Sequence, residues 1–449
     1  MLKKRENKKA VSNFSITNFI KEESLGGFIL IFVTIIAVIW ANTKFYDFYH
    51  YLWHELKLGI SLGSFELKAS LNHWINDGLM TLFFFTVGLE IKREVLAGEL
   101  SSVKKASLPI IAAVGGMIIP AIIYAIINYN NPDFINGWGI PMATDIAFTL
   151  GLMSLLGDKV NINLKIFLIA LAIADDLGAI LIIAIFYTES INTAQLINAA
   201  IFLIVLIGAN RLGVRRTSFY AIVGLIGVWL SFIYSGVHAS IAGVLIALTI
   251  PVRAKVSEDS FINNLDKLLS KFKKEKPNDL SLLTQKQAHI INDIEELSDK
   301  AHTPLQKLEH ALHPVTAYFI LPLFALANAG VHVEGNLLNL LFHPIAIGII
   351  LGLVLGKFLG ISLFAKLMVR FKLASLPDGV NWKQIYGVAF LAGIGFTMSI
   401  FISDLAFVSA EFIQIAKVGI FFASFLSAVI GIMILSSVSK KKIHSQKKY

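Results

Sequence analysis

Apolar residues recur in long runs along nearly the whole chain, divided by short polar stretches. About 20 apolar residues suffice for a helix to cross a bilayer. On that measure the pattern predicts about twelve spans, at 24–43, 74–96, 106–128, 137–157, 163–187, 193–213, 217–236, 237–252, 308–331, 341–369, 385–407 and 413–435. The pair within 217–252 is the least cleanly separated. Two places break the pattern. KFYDFYHYLWHEL is aromatic and amphipathic, suited to lying on a membrane surface. LKLGISLGSFELKA then alternates about Gly63-Ser64, which predicts a β-hairpin near 55–69. The other exception is 253–306, the one long polar segment. Ile262, Leu265, Leu268 and Leu269 fall there at helical spacing, so one or two amphipathic helices are expected in a solvated linker or a small docking subdomain.

Composition agrees with the pattern. Of 449 residues, 56% are hydrophobic and only 15% charged, against about 25% charged in soluble domains. The fold class expected is an all-α polytopic membrane protein. Cysteine is absent, which excludes disulfides and thiolate metal sites. A net charge of +9 would point to nucleic acid in a soluble chain, but here Lys and Arg gather in loops and tails. An even number of spans puts both termini on one side. The segments on that side hold Lys92, Arg93, Lys104, Lys105, Arg215, Arg216 and Arg370, and the tail adds Lys440 to Lys442, Lys447 and Lys448. NYNNPDFING and YTESINTAQ on the other side have no basic residue, the exception there being the first loop with Lys44, Lys57 and Lys68. The bias predicts cytoplasmic termini. The basic stretch MLKKRENKKAVSNF precedes a run without a small-residue cleavage site, so an uncleaved first span is expected. The organisation expected is residues 1–252 with spans one to eight, a cytoplasmic loop at 253–306, spans nine to twelve in 307–437, and a basic tail at 438–449.

Chemistry enters where charge interrupts the apolar runs. Asp175 and Asp176 lie side by side in the middle of FLIALAIADDLGAILIIAIFY. One carboxylate at that depth costs roughly 2.5–3.5 kcal/mol on insertion scales, and such residues mark ion or proton paths. Consecutive helical residues diverge by about 100°. One carboxylate can therefore line a path while the other meets a different partner. NGWGIPMATDIAFTLG and AFLAGIGFTMSIF both place Gly, Pro or Thr inside a span, where a proline removes a backbone donor. Two broken helices crossing there would bring together two positive N-terminal ends and two negative C-terminal ends. Asp145 suits the first and Lys357 the second. Lys417, near the start of the last span, reads as an interfacial residue that snorkels to the surface. Hard monovalent cations prefer oxygen ligands, as hard divalent ones do. Asp176, with the Thr144 hydroxyl or nearby carbonyls, would supply them. Such an oxygen holds a proton or a metal ion, and exclusion of one by the other couples their movements.

The strings FFFTVGLEIKRE, PMATDIAFTLG, ALAIADDLGAI, SGVHASIAGV, LEHALHP, LPLFALANAG, GKFLGIS and GIGFTMSIF occur in order between about 74 and 404. Together they resemble the NhaA family of bacterial Na+/H+ antiporters. The resemblance implies inverted repeats with two broken, crossed helices and a small periplasmic hairpin. This family is itself a standard example of that architecture, so the agreement is not independent. It implies a secondary active exchanger of Na+ or Li+ for external protons in the inner membrane, regulated by pH and without a bound cofactor. Asp176 looks like the main cation ligand, with Asp175 as its proton-carrying partner (both near Na+) and able to pair with Lys357. Thr144 and Asp145 look like crossing-point residues. Glu90, Arg93, Glu94, Glu309, His310, His313 and His238 look like pH-response positions, and Asp77 like a secondary one. Taken alone, Glu90, Arg93 and Glu94 could equally form a solvated ion-pair face. The expected partners are lipid, Na+ or Li+, protons and a second copy paired through the hairpin. A surface flap is the other reading of that hairpin, and no nucleic acid is expected. Three departures stand out: Phe358 where proline is usual, which predicts a straighter helix; Gln306-Lys307 before Leu308-Glu309; and a longer 253–306 loop. The rival readings are another ion-coupled carrier of a small solute, a passive cation channel and a sensor signalling through 253–306.

Overall fold

A computed structural model describes residues 24–62, 65–188, 191–275, 282–332 and 336–446. The basic start at 1–14, the Gly63-Ser64 turn, Lys447 and Lys448 lie outside the described residues. The fold is a helical bundle, because lipid offers no partner for backbone N–H and C=O groups and each span must satisfy its own. Among the described residues, seven continuous helices are long and apolar enough to cross a membrane: Ser24–Ala41, Val103–Asn128, Ile162–Phe186, Thr193–Arg211, Pro304–Asn328, Pro344–Arg370 and Ala410–Val438. These are spans 1, 3, 5, 6, 9, 10 and 12. Span 2 runs over 71–97 and carries Glu90, Lys92, Arg93 and Glu94 near its end. Spans 7 (Thr217–Ile233) and 8 (Ala239–Thr249) are short. Spans 4 and 11 are broken: Asn136–Met142 with Ile146–Ser154, and Trp382–Leu391 with Phe396–Ala406.

Span 8 is too short to cross hydrocarbon alone, so the protein must satisfy its ends. Lys92 Nζ donates to the Leu248 and Ile250 carbonyls, each at 2.6 Å, and Asn210 donates to Thr249 at 2.6 Å. A cation at a helix C-terminus also opposes the helix dipole.

The hairpin forms as the alternation predicts. Strands β1 (Lys57–Leu62) and β2 (Phe65–Ser70) pair antiparallel, from Lys57 opposite Ser70 to Leu62 opposite Phe65. Trp74 of span 2 donates to the Leu58 carbonyl at 2.9 Å and ties the hairpin to the bundle. Two helices fold within the polar segment, Glu258–Lys274 and Gln285–Ala301, capped by Ser257 and by a Thr284–Gln287 capping box. Asp299 meets Lys307 at the start of span 9 at 2.9 Å, and that ammonium holds its carboxyl below the usual range.

Span 10 carries a local irregularity. It runs as one continuous helix from Pro344 to Arg370, and residues Gly352–Gly356, just before Lys357, form a π-helical turn. The glycines there face prolines, Gly352 toward Pro141 and Gly356 toward Pro120, and Phe358 stacks on Phe390 at 4.4 Å. One turn further, Gly360 meets Gly115 of span 3. A methyl on Gly360 would lie 2.1 Å from the Gly115 carbonyl oxygen, which is backbone and cannot turn aside. Small residues permit such close approach between membrane helices. Gly360→Ala is therefore expected to cost about 1–3 kcal/mol by overpacking and to displace Lys357. A lower melting temperature in detergent together with reduced exchange would bear this out; parental melting would contradict it.

Candidate ion site

The two broken spans cross at their breaks. Asp145 is the N-cap of Ile146–Ser154, and its Oδ1 accepts from Phe148 N at 2.9 Å. Its Oδ2 accepts from Thr397 N at 3.1 Å and from the Thr397 hydroxyl at 2.5 Å, at the start of the other half-helix. One carboxylate thus serves two helix N-termini, where backbone N–H groups and dipoles both favour an anion. Further bonds lock the crossing. Asp145 N donates to the Ile394 carbonyl and the Thr144 hydroxyl to Ala392, both at 2.7 Å, and Ser399 donates to Ile140 at 2.8 Å. Carbonyls freed by the breaks thereby find partners on the opposite span.

The cation of the crossing is Lys357, whose side chain is fully buried. Its Nζ donates to the Met142 carbonyl, at the C-terminal end of the first half-helix, and lies 2.5 Å from Asp175 Oδ2. Asp175 thus faces span 10. Asp176, the next residue, faces elsewhere: it lines a cleft with Thr86, Glu90, Asp145, His313 and Thr316. Asp176 is 3% exposed, and its Oδ1 is buried without a hydrogen-bond partner among the described residues. An unpaired buried carboxylate oxygen is costly, and in a largely apolar cleft that also carries hydroxyls and carboxylates it is a ready ligand for a proton or a small cation.

Glu90 in the cleft wall belongs to the same stretch of span 2 as a charged cluster. Arg93 joins Glu94 and Glu309, each at 2.7 Å, bridging spans 2 and 9. Glu90 and Glu94 are buried, so this is not a solvated ion-pair face. His313 is buried beside Glu90 in the cleft wall, whereas His310 is exposed and outside that wall. His238 is not part of this group. It caps span 8 at the other end of the bundle, its Nε2 2.7 Å from the Tyr187 carbonyl at the end of span 5. Asp77 also sits at that hairpin end, 3.1 Å from His73.

Two features do not stand out from the sequence. Thr397 lies within the string GIGFTMSIF, but its role depends on Asp145, 252 residues away. Lys417 is not a snorkelling residue: it pairs with Asp404 of span 11 at 3.1 Å, with both side chains largely buried. An acid in the second half of an apolar span was the available signal for Asp404.

The family model described as Na+/H+ antiporter 1 matches residues 17–435. The chain is 49% identical to Na(+)/H(+) antiporter NhaA 1 of Psychromonas ingrahamii over 414 residues, covering 92% of this chain and 94% of that one. It is 48% identical to the NhaA antiporter of Oleidesulfovibrio alaskensis, covering 93% and 92%. Identity to the Helicobacter pylori NhaA antiporter is 46% over 442 residues, covering 98% of both chains, so that relative matches through the long polar segment as well. The resemblance drawn from the motifs is borne out, and the chain belongs to the Na+/H+ antiporter 1 family.

Proposed function

We propose that the protein is a carrier, not an enzyme, that extrudes cytoplasmic Na+ or Li+ in exchange for external protons by alternating access. The observation that carries this is Asp176: a buried carboxylate oxygen without a hydrogen-bond partner among the described residues, facing a cleft, beside a second carboxylate already held by Lys357. The relatives' names supply the ions. Asp176, with Thr144 and neighbouring carbonyls, would hold the cation. Asp175 would exchange its Lys357 partner for a proton as the cation enters or leaves. Two protons for each Na+ would move one net charge, worth about 2.3 kcal/mol per 100 mV of membrane potential. A passive channel would have no need of the Lys357–Asp175 pair.

The Lys and Arg bias supports an inner-membrane protein with cytoplasmic termini, the cleft mouth facing the cytoplasm and the hairpin the periplasm. The half-buried Arg93–Glu309 bridge and the buried His313 at that mouth suit a pH-responsive entrance, since histidine titrates near neutrality. Strands β1 and β2 form a two-stranded sheet, marginal alone; a second copy added at its edge would steady both, giving a homodimer.

The test uses inside-out vesicles acidified by respiration and containing a pH dye. Added Na+ or Li+ should collapse the acid interior, and added K+ should do so far less. Equal collapse by K+, or none by Na+, would reject the exchange reading.

A further inference from the structure

The helices that build the ion site also carry two further layers toward the hairpin end. Phe401 lies one turn beyond Thr397 on span 11. It packs on Phe84 of span 2 at 5.5 Å and on Phe324 of span 9 at 6.2 Å between ring centroids. All three rings are at most 2% exposed. Next comes a polar layer from the same three spans. Asn328 is one turn from Phe324, Asn76 two turns from Phe84, and Asp404 one turn from Phe401. Asn72 donates to Asn328 at 3.0 Å, Asn328 to Asn76 at 2.9 Å and Asn76 to Asn72 at 2.9 Å. The Asn76 amide also acts electrostatically on Asp404. Span 12 completes the layer through Lys417, 3.1 Å from Asp404.

The order along the bundle is therefore polar layer, aromatic layer, the Asp145–Thr397 crossing with Asp176, then the cleft past Thr86 and Thr316 to Glu90 and His313. The site communicates with one end through the cleft and is shut from the other by three rings and an ion pair. Phenylalanine rings seal without directional bonds, so they close a path but do not fix which helices stay together. A largely buried ion pair does, because parting it strands two charges in a poor solvent.

We propose that Asp404 and Lys417, beside Asn76, form an outer latch that must part before Asp176 can face the hairpin end. Lys417 and Asp404 are positioning residues here; they touch neither ion at the site. The proposal rests on the alternating-access reading above. It assigns the latch to the state in which the cleft is open, with the ammonium occupying a carboxylate and amide surface that a passing cation would otherwise meet.

The absence of cysteine allows a clean test with single reporters. Met80 is fully buried on span 2, one turn from Asn76 and one from Phe84, and Val87 lines the cleft. Met80→Cys and Val87→Cys are made separately, each with and without Lys417→Met, and labelled in oriented vesicles by a membrane-impermeant methanethiosulfonate. With the latch removed, labelling of Met80→Cys from the hairpin side should rise at least tenfold, while labelling of Val87→Cys from the cleft side falls. Lys417→Arg, which keeps the pair, should label as the parent does. A general loosening of the fold would raise both rates and overturn the latch, as would unchanged rates in a protein that still exchanges Na+. Asp404→Asn keeps the side chain's size, and takes the place of Lys417→Met, with the same expected rates, if that variant does not fold. A parent reporter protein that shows no Na+-driven exchange would instead count against the functional reading on which the latch depends.

Discussion

Asp176→Asn is expected to abolish Na+-driven proton movement, with the apparent affinity for Na+ reduced at least a hundredfold. Asparagine has the same shape and keeps a carbonyl oxygen, so only the charge is removed. A cation about 2.4 Å from a carboxylate, at an effective dielectric near 20, is favoured by about 7 kcal/mol. Losing less than half of that is already worth a hundredfold. The fold should not suffer, because Asp176 Oδ1 makes no hydrogen bond to lose and a neutral amide avoids a buried charge. Measured in everted vesicles, the variant should melt at or above the parental temperature and yet leave the acid interior intact when Na+ is added. Parental exchange by this variant would remove Asp176 from the site.

Lys357→Met carries the largest expected cost to the fold. The thioether fills much of the space but donates nothing. Asp175 Oδ2 would lose its ammonium and the Met142 carbonyl its donor, both in a fully buried setting. Breaking a buried pair by removing one partner costs about 3–5 kcal/mol. A marked drop in melting temperature is expected, and the double variant Lys357→Met with Asp175→Asn should recover most of it, because no uncompensated charge is left. Equal melting of the single and double variants would mean that the pair contributes nothing to the crossing.

Much of this arrangement was legible in the chain itself. The seven long spans follow from apolar run length, and the hairpin from strict alternation about Gly63-Ser64. The sequence could also point to Asp145 and Lys357, because a charge in an apolar run next to a helix breaker has few tolerable surroundings. What it could not supply was partners. Asp145 meets Thr397 and Lys357 meets Asp175 across separations of 252 and 182 residues, and nothing local encodes which breaks cross. Lys417 shows the same gap: near the start of an apolar run, a lysine reaching for headgroups and one reaching for Asp404 read alike. The histidines show it again. His310 and His313 share one motif, but three positions on a helix turn one into the cleft wall and the other away from it. The π-helical turn before Lys357 lies where Gly352 and Gly356 pack on prolines of spans 3 and 4, a tertiary contact without a local signature.

The most direct test of the proposed exchange is the apparent affinity for Na+ as a function of pH, measured in proteoliposomes with the same pH on both faces. If a proton and Na+ compete for the Asp176 oxygens, the Na+ concentration giving half-maximal exchange should rise about tenfold for each unit of acidification once the carboxylate is mostly protonated. A half-maximal concentration that stays constant over the active pH range would show that both ions can be held at once, and the exchange mechanism proposed for this site would be wrong.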